Sequence, residues 1–161
     1  MYHGGVILNT NNTNFKFIYA DITTSLEIPL FKGGLSAGFP SPAANYMAKK
    51  IDLNKTLVRK PNATFYGIAD GDSMNDAYIH DGDLVIVDRS AEIKHGRKIL
   101  CCLNGEFLIK FVNFDKADKD IVWLVAGNQK YKPLKITNEM DFKVWGVVTF
   151  SITSHDVYKF E

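Results

Sequence analysis

Two side chains in this sequence stand where their types invite chemistry. Ser73 lies in Gly71-Asp72-Ser73-Met74, on a turn built from Asp70, Gly71 and Asp72. An apolar run (Phe65, Tyr66, Ile68) leads into that turn, and a second turn, Asp81-Gly82-Asp83, feeds the run Leu84 to Val87. Glycine and aspartate supply the backbone angles and local hydrogen bonds of a sharp bend. A serine on such a bend presents its hydroxyl. Lys110 ends the stretch Asn104-Gly105-Glu106-Phe107-Leu108-Ile109-Lys110. A serine hydroxyl is a weak nucleophile until a base takes its proton, and a desolvated, neutral lysine can be that base. Ser73 and Lys110 together suggest this variant of the serine–base pair. The backbone N–H groups of Asp72 and Ser73 then become candidate donors to an oxyanion. Each residue also has a plainer role open to it. Turn serines bond their own backbone, and strand lysines lay their stems along apolar neighbours with the head in water.

The elements that must position the pair are β-strands. Asparagine-glycine between two β-rich runs is the strongest short hairpin signal. A two-residue loop at Asn104-Gly105 pairs Leu103 with Glu106, Cys102 with Phe107, Cys101 with Leu108, Leu100 with Ile109 and Ile99 with Lys110. Alternation puts Phe107, Ile109 and Phe111 on one face, expected to be the core face. Lys110 falls on the other, between Leu108 and Val112. If that face is covered, loss of solvation lowers the lysine pKa. Further strands are expected at 64–68, 84–88, 98–103, 106–112, 121–126 and 142–153, short and separated by turn signals such as Gly127-Asn128. The fold class is therefore mainly β: a compact, curved, mostly antiparallel β domain with one short helix and an N-terminal arm.

The arm is Asn-, Thr- and Gly-rich over Met1 to Asn14, with a short strand expected at Phe15–Ile22. Pro29 keeps any element in Thr23–Phe31 short or at an edge. Lys32 to Pro40 holds three glycines and a proline. It reads either as a linker or as a protease-accessible segment, in which small Ala37 before Gly38 passes into a narrow cleft. Ser41-Pro42 opens a helix running to about Lys50, with Ala43, Tyr46, Met47 and Ile51 on one face. Asp52 to Pro61 reads as a polar connection anchored by Leu53 and Leu57.

Composition narrows the function classes. The chain has 161 residues, 46% of them hydrophobic and 23% charged, with a formal net charge of +1. That suits one soluble domain with a real core and gives no basic footprint for strong direct DNA binding. No apolar stretch is long enough to span a membrane, and the N-terminus lacks a secretory pattern, so a cytoplasmic protein is expected. Adjacent Cys101 and Cys102 point to opposite faces of a strand and read as one core thiol and one half-exposed thiol, neither a disulfide nor a metal pair. His80 and His95 read as solvated, with no carboxylate placed to orient either. Asp70, Asp72, Asp76, Asp81 and Asp83 do not match a calcium loop and read as turn formers. No cofactor and no metal are implied. Trp123, Trp145, Phe142 and Phe150 read as core or dimer surface, and Lys49-Lys50 and the 116–119 run as solvated charge.

The motifs AGFPSPA (37–43), IDLN (51–54), GDSM (71–74), DGDLVIVD (81–88), HG (95–96), NGEFLIK (104–110) and WGVV (145–148) occur in order. On these the sequence resembles the LexA-like family of self-cleaving serine peptidases, and within it the UmuD-like branch of SOS mutagenesis proteins. The resemblance implies Ser73 as nucleophile, Lys110 as general base and Ala37–Gly38 as the scissile bond in the protein's own chain. It implies an arm, 1–37, removed from a peptidase domain, 38–161. It also implies stimulation by a RecA-type recombinase filament on single-stranded DNA. The processed homodimer would then serve a Y-family DNA polymerase subunit, UmuC-like, in copying past lesions. Two alternatives stand beside it: a non-catalytic binding module of the same fold, and a LexA-like repressor fragment. The repressor is the poorer one, because no pair of amphipathic helices precedes Ala37.

Overall fold

The computed structural model describes residues 25–30, 49–118, 121–156 and 160. The expected strand Phe15–Ile22, the segment with Ala37 and Gly38, and the helix expected from Ser41, as far as Ala48, lie outside the described residues. The elements in chain order are strands β1 (Glu27–Leu30) and β2 (Lys49–Asp52), helix α1 (Leu53–Leu57), and strands β3 (Thr64–Ile68), β4 (Leu84–Asp88), β5 (Arg97–Leu103), β6 (Glu106–Phe114), β7 (Val122–Val125), β8 (Leu134–Lys135) and β9 (Phe142–Ile152). Seven of the strands form one sheet, in the order β3-β4-β9-β5-β6-β7-β8, with every neighbouring pair antiparallel. β1 and β2 pair separately.

The β5–β6 hairpin is where local chemistry most plainly dictates structure. Asn104 and Gly105 take φ of 50° and 89°, the left-handed pair that a two-residue hairpin turn needs. The register follows: Leu103 opposite Glu106, Cys102 opposite Phe107, Cys101 opposite Leu108, Leu100 opposite Ile109 and Ile99 opposite Lys110. The expected core face is corrected. Phe107, Ile109 and Phe111 are only half-buried, whereas Val112, two places from Lys110, and Ile99, opposite it, are buried. Both faces are covered. Ile109 and Phe111 pack on a cluster of Phe65, Met74, Ala77, Ile79, Val85 and Val87, and Leu108 packs on a second cluster of Ile99, Cys101, Val112, Leu124 and Val147.

β9 spans both clusters and joins β4 to β5. Register shifts at Ile86/Val87 and at Leu100/Cys101 bend it between them. Gly146 permits its close approach to β4: a Cβ there would meet Val87 Cγ1 at 2.7 Å and the Asp88 carbonyl oxygen at 3.0 Å.

The helix expected to reach Lys50 does not do so, because Lys49–Asp52 is strand β2. The helix among the described residues that follows it, α1, lies in the stretch read as a polar connection. Asp52 caps it, its carboxylate accepting from the Asn54 N–H at 3.0 Å. The anchor there is buried Val58, not Leu53, which is 50% exposed. β1 is a four-residue strand carrying Pro29, short as expected, and every one of its residues is exposed.

Candidate active site

Ser73 stands on a turn that is pulled inward on its far side. Met74, Ala77 and Ile79 are all buried in the first cluster. The backbone between them tightens into a 3-10 turn, Asn75–Ala77, closed by Ala77 N–H donating to the Met74 carbonyl at 2.9 Å. On the near side Gly71 takes φ +84°, and its N–H donates to Asp81 Oδ1 at 2.9 Å. The aspartates thus act as turn formers at Asp81 and at Asp83, whose buried carboxylate accepts from the His80 N–H at 2.8 Å. Ser73 is left half-buried between these fixed flanks.

Lys110 reaches it from β6. Its Nζ lies 2.7 Å from Ser73 Oγ and donates to the Ile109 carbonyl at 3.0 Å. Among the described residues, no carboxylate lies within ion-pair distance of Lys110. Burial therefore pushes its pKa below the ordinary lysine value of 10.5. The neighbouring Cys101 opposes this shift only as the lesser effect, and burial raises that thiol to about 12. A neutral amine turns its lone pair to the serine, and the Ser73 O–H becomes the donor. That is the geometry of a nucleophile with its base in reach.

A third segment, Gly127–Tyr131, closes on the same turn. Asn128 Nδ2 donates to the Asp72 carbonyl at 2.9 Å, and the Tyr131 hydroxyl donates to Asp72 Oδ1. Lys130 Nζ stands 3.7 Å from Asp72 Oδ2. The Tyr131 hydroxyl holds the Asp72 carboxyl below its ordinary range, and in return the carboxylate pushes Tyr131 up. Gly127 accepts from the Asp76 N–H at 2.7 Å and donates to Met74 Sδ at 3.2 Å. In the sequence Gly127-Asn128 reads only as a turn signal. The partner lies 56 positions away (128 − 72), and nothing local links the two.

The other candidates separate from this site. One expectation about the histidines is corrected: a carboxylate does face His80, with Asp83 Oδ2 3.6 Å from Nδ1. His95 Nδ1 accepts from the Phe114 N–H at 3.0 Å. Neither histidine contacts Ser73 among the described hydrogen bonds. No group of three or more potential metal ligands occurs among the described residues. Cys101 is a buried free thiol and Cys102 a half-buried one. Trp145 packs edge-on against Phe107 at 5.0 Å, and Phe150 remains 37% exposed. No helix among the described residues is long and apolar enough to cross a membrane.

Comparison with known proteins places the chain in a family. The family model described as Peptidase S24-like matches residues 29–149. MucA of Salmonella typhimurium is 36% identical over 132 residues, covering 81% of this chain and 88% of the relative. ImpA of Salmonella typhimurium is 44% identical over 82 residues, covering 51% and 57%. SamA of the same species is 37% identical over 121 residues, covering 75% and 81%. These matches point to a protein related to SOS mutagenesis and of the serine peptidase kind. With Ser73 beneath the Lys110 amine and a matched span that takes in both, the chain belongs to the Peptidase S24-like family, as a UmuD-like member of the LexA group.

Proposed function

We propose that this protein is a self-cleaving serine peptidase of the SOS response. Ser73 is its nucleophile, Lys110 its general base and Ala37–Gly38 its scissile bond. The observation that carries the reading is the 2.7 Å approach of Lys110 Nζ to Ser73 Oγ, by an amine with no carboxylate partner among the described residues. Ser73 Oγ attacks the Ala37 carbonyl carbon while its proton passes to Nζ. The N–H groups of Asp72 and Ser73 stabilise the oxyanion. The Ser73 N–H is the freer donor of the two, since it makes no hydrogen bond to a described residue, whereas the Asp72 N–H faces its own carboxylate.

Collapse of the tetrahedral intermediate breaks the Ala37–Gly38 bond, and the Lys110 ammonium returns its proton to the Gly38 amine. Water, deprotonated by Nζ, then releases Ala37 from the Ser73 ester. The products are an arm, 1–37, and a domain, 38–161. A RecA-type filament on single-stranded DNA stimulates the cut. The processed homodimer serves a UmuC-like Y-family polymerase subunit as accessory factor in error-prone synthesis. The UmuD-like relationship supports this part of the reading.

Intact-mass measurement on the purified chain, with Ser73→Ala and Lys110→Ala beside it, tests the reading. Cleavage after Ala37 in the unaltered chain alone is expected. A chain that stays whole at alkaline pH with filament and ATP present would leave a non-catalytic binding module.

A further inference from the structure

The hydrogen bonds around Asp72 single out a residue that neither the attack nor the proton transfer uses. The Asp72 carbonyl and the Ser73 N–H belong to one planar peptide unit and point in opposite directions. Whatever fixes the carbonyl therefore fixes the direction of the N–H. Two donors hold that carbonyl. The Asn75 N–H approaches at 3.2 Å, from within the turn itself, and Asn128 Nδ2 at 2.9 Å, from outside it. The Asn128 amide is oriented from both ends, since its Oδ1 accepts from the Lys130 N–H at 3.0 Å. Its backbone is anchored too, the Asn128 carbonyl accepting from the Tyr131 N–H at 3.1 Å. Tyr131 then grips the Asp72 carboxylate. The Ser73 N–H, which has no partner among the described hydrogen bonds, is left facing away from this bracket.

We propose that Asn128 is a positioning residue for the Ser73 N–H: by pinning the Asp72 carbonyl it aims that donor at the oxyanion, with Tyr131 supporting it through the Asp72 carboxylate. The proposal rests on the peptidase reading above. Preorganised donors are effective because they need no reorientation as charge develops. A donor free to swing loses that advantage while the base keeps its own. Asn128 should therefore act on the rate of bond breaking and leave the protonation of Lys110 alone.

Asn128→Ala is the informative change. It removes the donor to the Asp72 carbonyl without adding a charge beside the Asp72 carboxylate, whose Oδ2 lies 3.4 Å from Asn128 Nδ2. Self-cleavage of the full chain should fall about 10–100-fold at every pH, with the midpoint of the pH–rate profile unmoved and the melting temperature near that of the unaltered chain. Tyr131→Phe should cost less, about 3–10-fold. An unchanged rate, or a shifted midpoint with the plateau rate intact, would overturn the proposal. A second readout does not need cleavage. In a Lys110→Ala background, which keeps Ser73, Asn128→Ala should displace the Ser73 amide resonance while those of β3 stay in place. An unmoved Ser73 resonance overturns the proposal whether or not the chain cuts itself. If the unaltered chain does not cleave but the Ser73 amide moves, the peptidase reading fails and the bracket stands.

Discussion

The turn carrying Ser73 and the two-stranded β1–β2 pair are held in opposite ways. The turn is gripped on every side: Met74, Ala77 and Ile79 are buried beneath it, Asp81 ties Gly71, and Gly127–Tyr131 closes over Asp72. β1 has four exposed residues and four partners in β2. Among the described residues its side-chain tie is Glu27, 4.0 Å from Lys50, and just before the strand Ser25 Oγ donates to Asp52 at 3.0 Å. A two-stranded pair without a core is marginal in water. Yet the chain between β1 and β2 is the stretch that carries Ala37–Gly38. Rigidity is thus concentrated where the reacting groups must be aimed, and the strands flanking the proposed cut are lightly held. That division suits the proposed self-cleavage: the turn that carries Ser73 is fixed, while the β1–β2 pair flanking the proposed cut is lightly held.

The strongest way to break this picture is at the proposed nucleophile, Ser73. Ser73→Ala should reduce self-cleavage by at least about 1,000-fold with the fold unchanged, because no second hydroxyl faces Lys110 among the described hydrogen bonds. Intact mass after long incubation reads it.

The bracket comes next. Gly127→Ala would place a Cβ 2.4 Å from Ala77 Cβ and 3.2 Å from Ala77 N, with no room to relax but by moving the turn. Urea unfolding should show a loss of about 1–3 kcal/mol, and cleavage should fall with it.

Lys110 supplies a third test, of sign as well as size. Its folded pKa lies below the 10.5 of an ordinary lysine, so near neutrality the fold carries a charge that burial disfavours. The unfolded chain binds more protons between the two pKa values, so stability rises with pH across that window. Lys110→Met should therefore raise the melting temperature at neutral pH, by about 2–4 °C, with the gain shrinking as the pH climbs towards 10.5. An equal gain at all pH values would mean that the lysine is not depressed.

The lightly held region should give the smallest effects. Ile28→Ser or Leu30→Ser should change unfolding free energy by no more than about 0.5 kcal/mol, since both side chains are over 40% exposed. Asp52→Ala should cost about 1 kcal/mol, as it caps α1.

What could be read in the sequence follows the same division by range. The β5–β6 register was legible because Asn104-Gly105 fixes it locally, and Lys110 was thereby placed opposite Ile99. Alternation separates two faces but does not say which is buried deeper. The row Phe107, Ile109, Phe111 was accordingly expected to be the core face, although Val112 and Ile99 on the lysine side are the buried ones. Ser41-Pro42 looked like a helix start, yet Lys49–Asp52 is strand, and the α1 helix that follows is five residues long, too short to show a periodicity. β8 has two residues and forms only because β7 offers its edge. Asn128 lay beyond local reasoning altogether, for its role depends on a carbonyl that only the folded sheet brings beside it.

The central claim is that Lys110 is the base and is neutral when it acts. Nitrogen-detected NMR of the Lys110 ammonium in the Ser73→Ala chain, followed from pH 6 to 12, tests it most directly. The account predicts a titration midpoint below 10.5, coinciding with the midpoint of the self-cleavage rate in the unaltered chain. A midpoint at or above 10.5, or a cleavage rate indifferent to pH across the lysine titration, would contradict it.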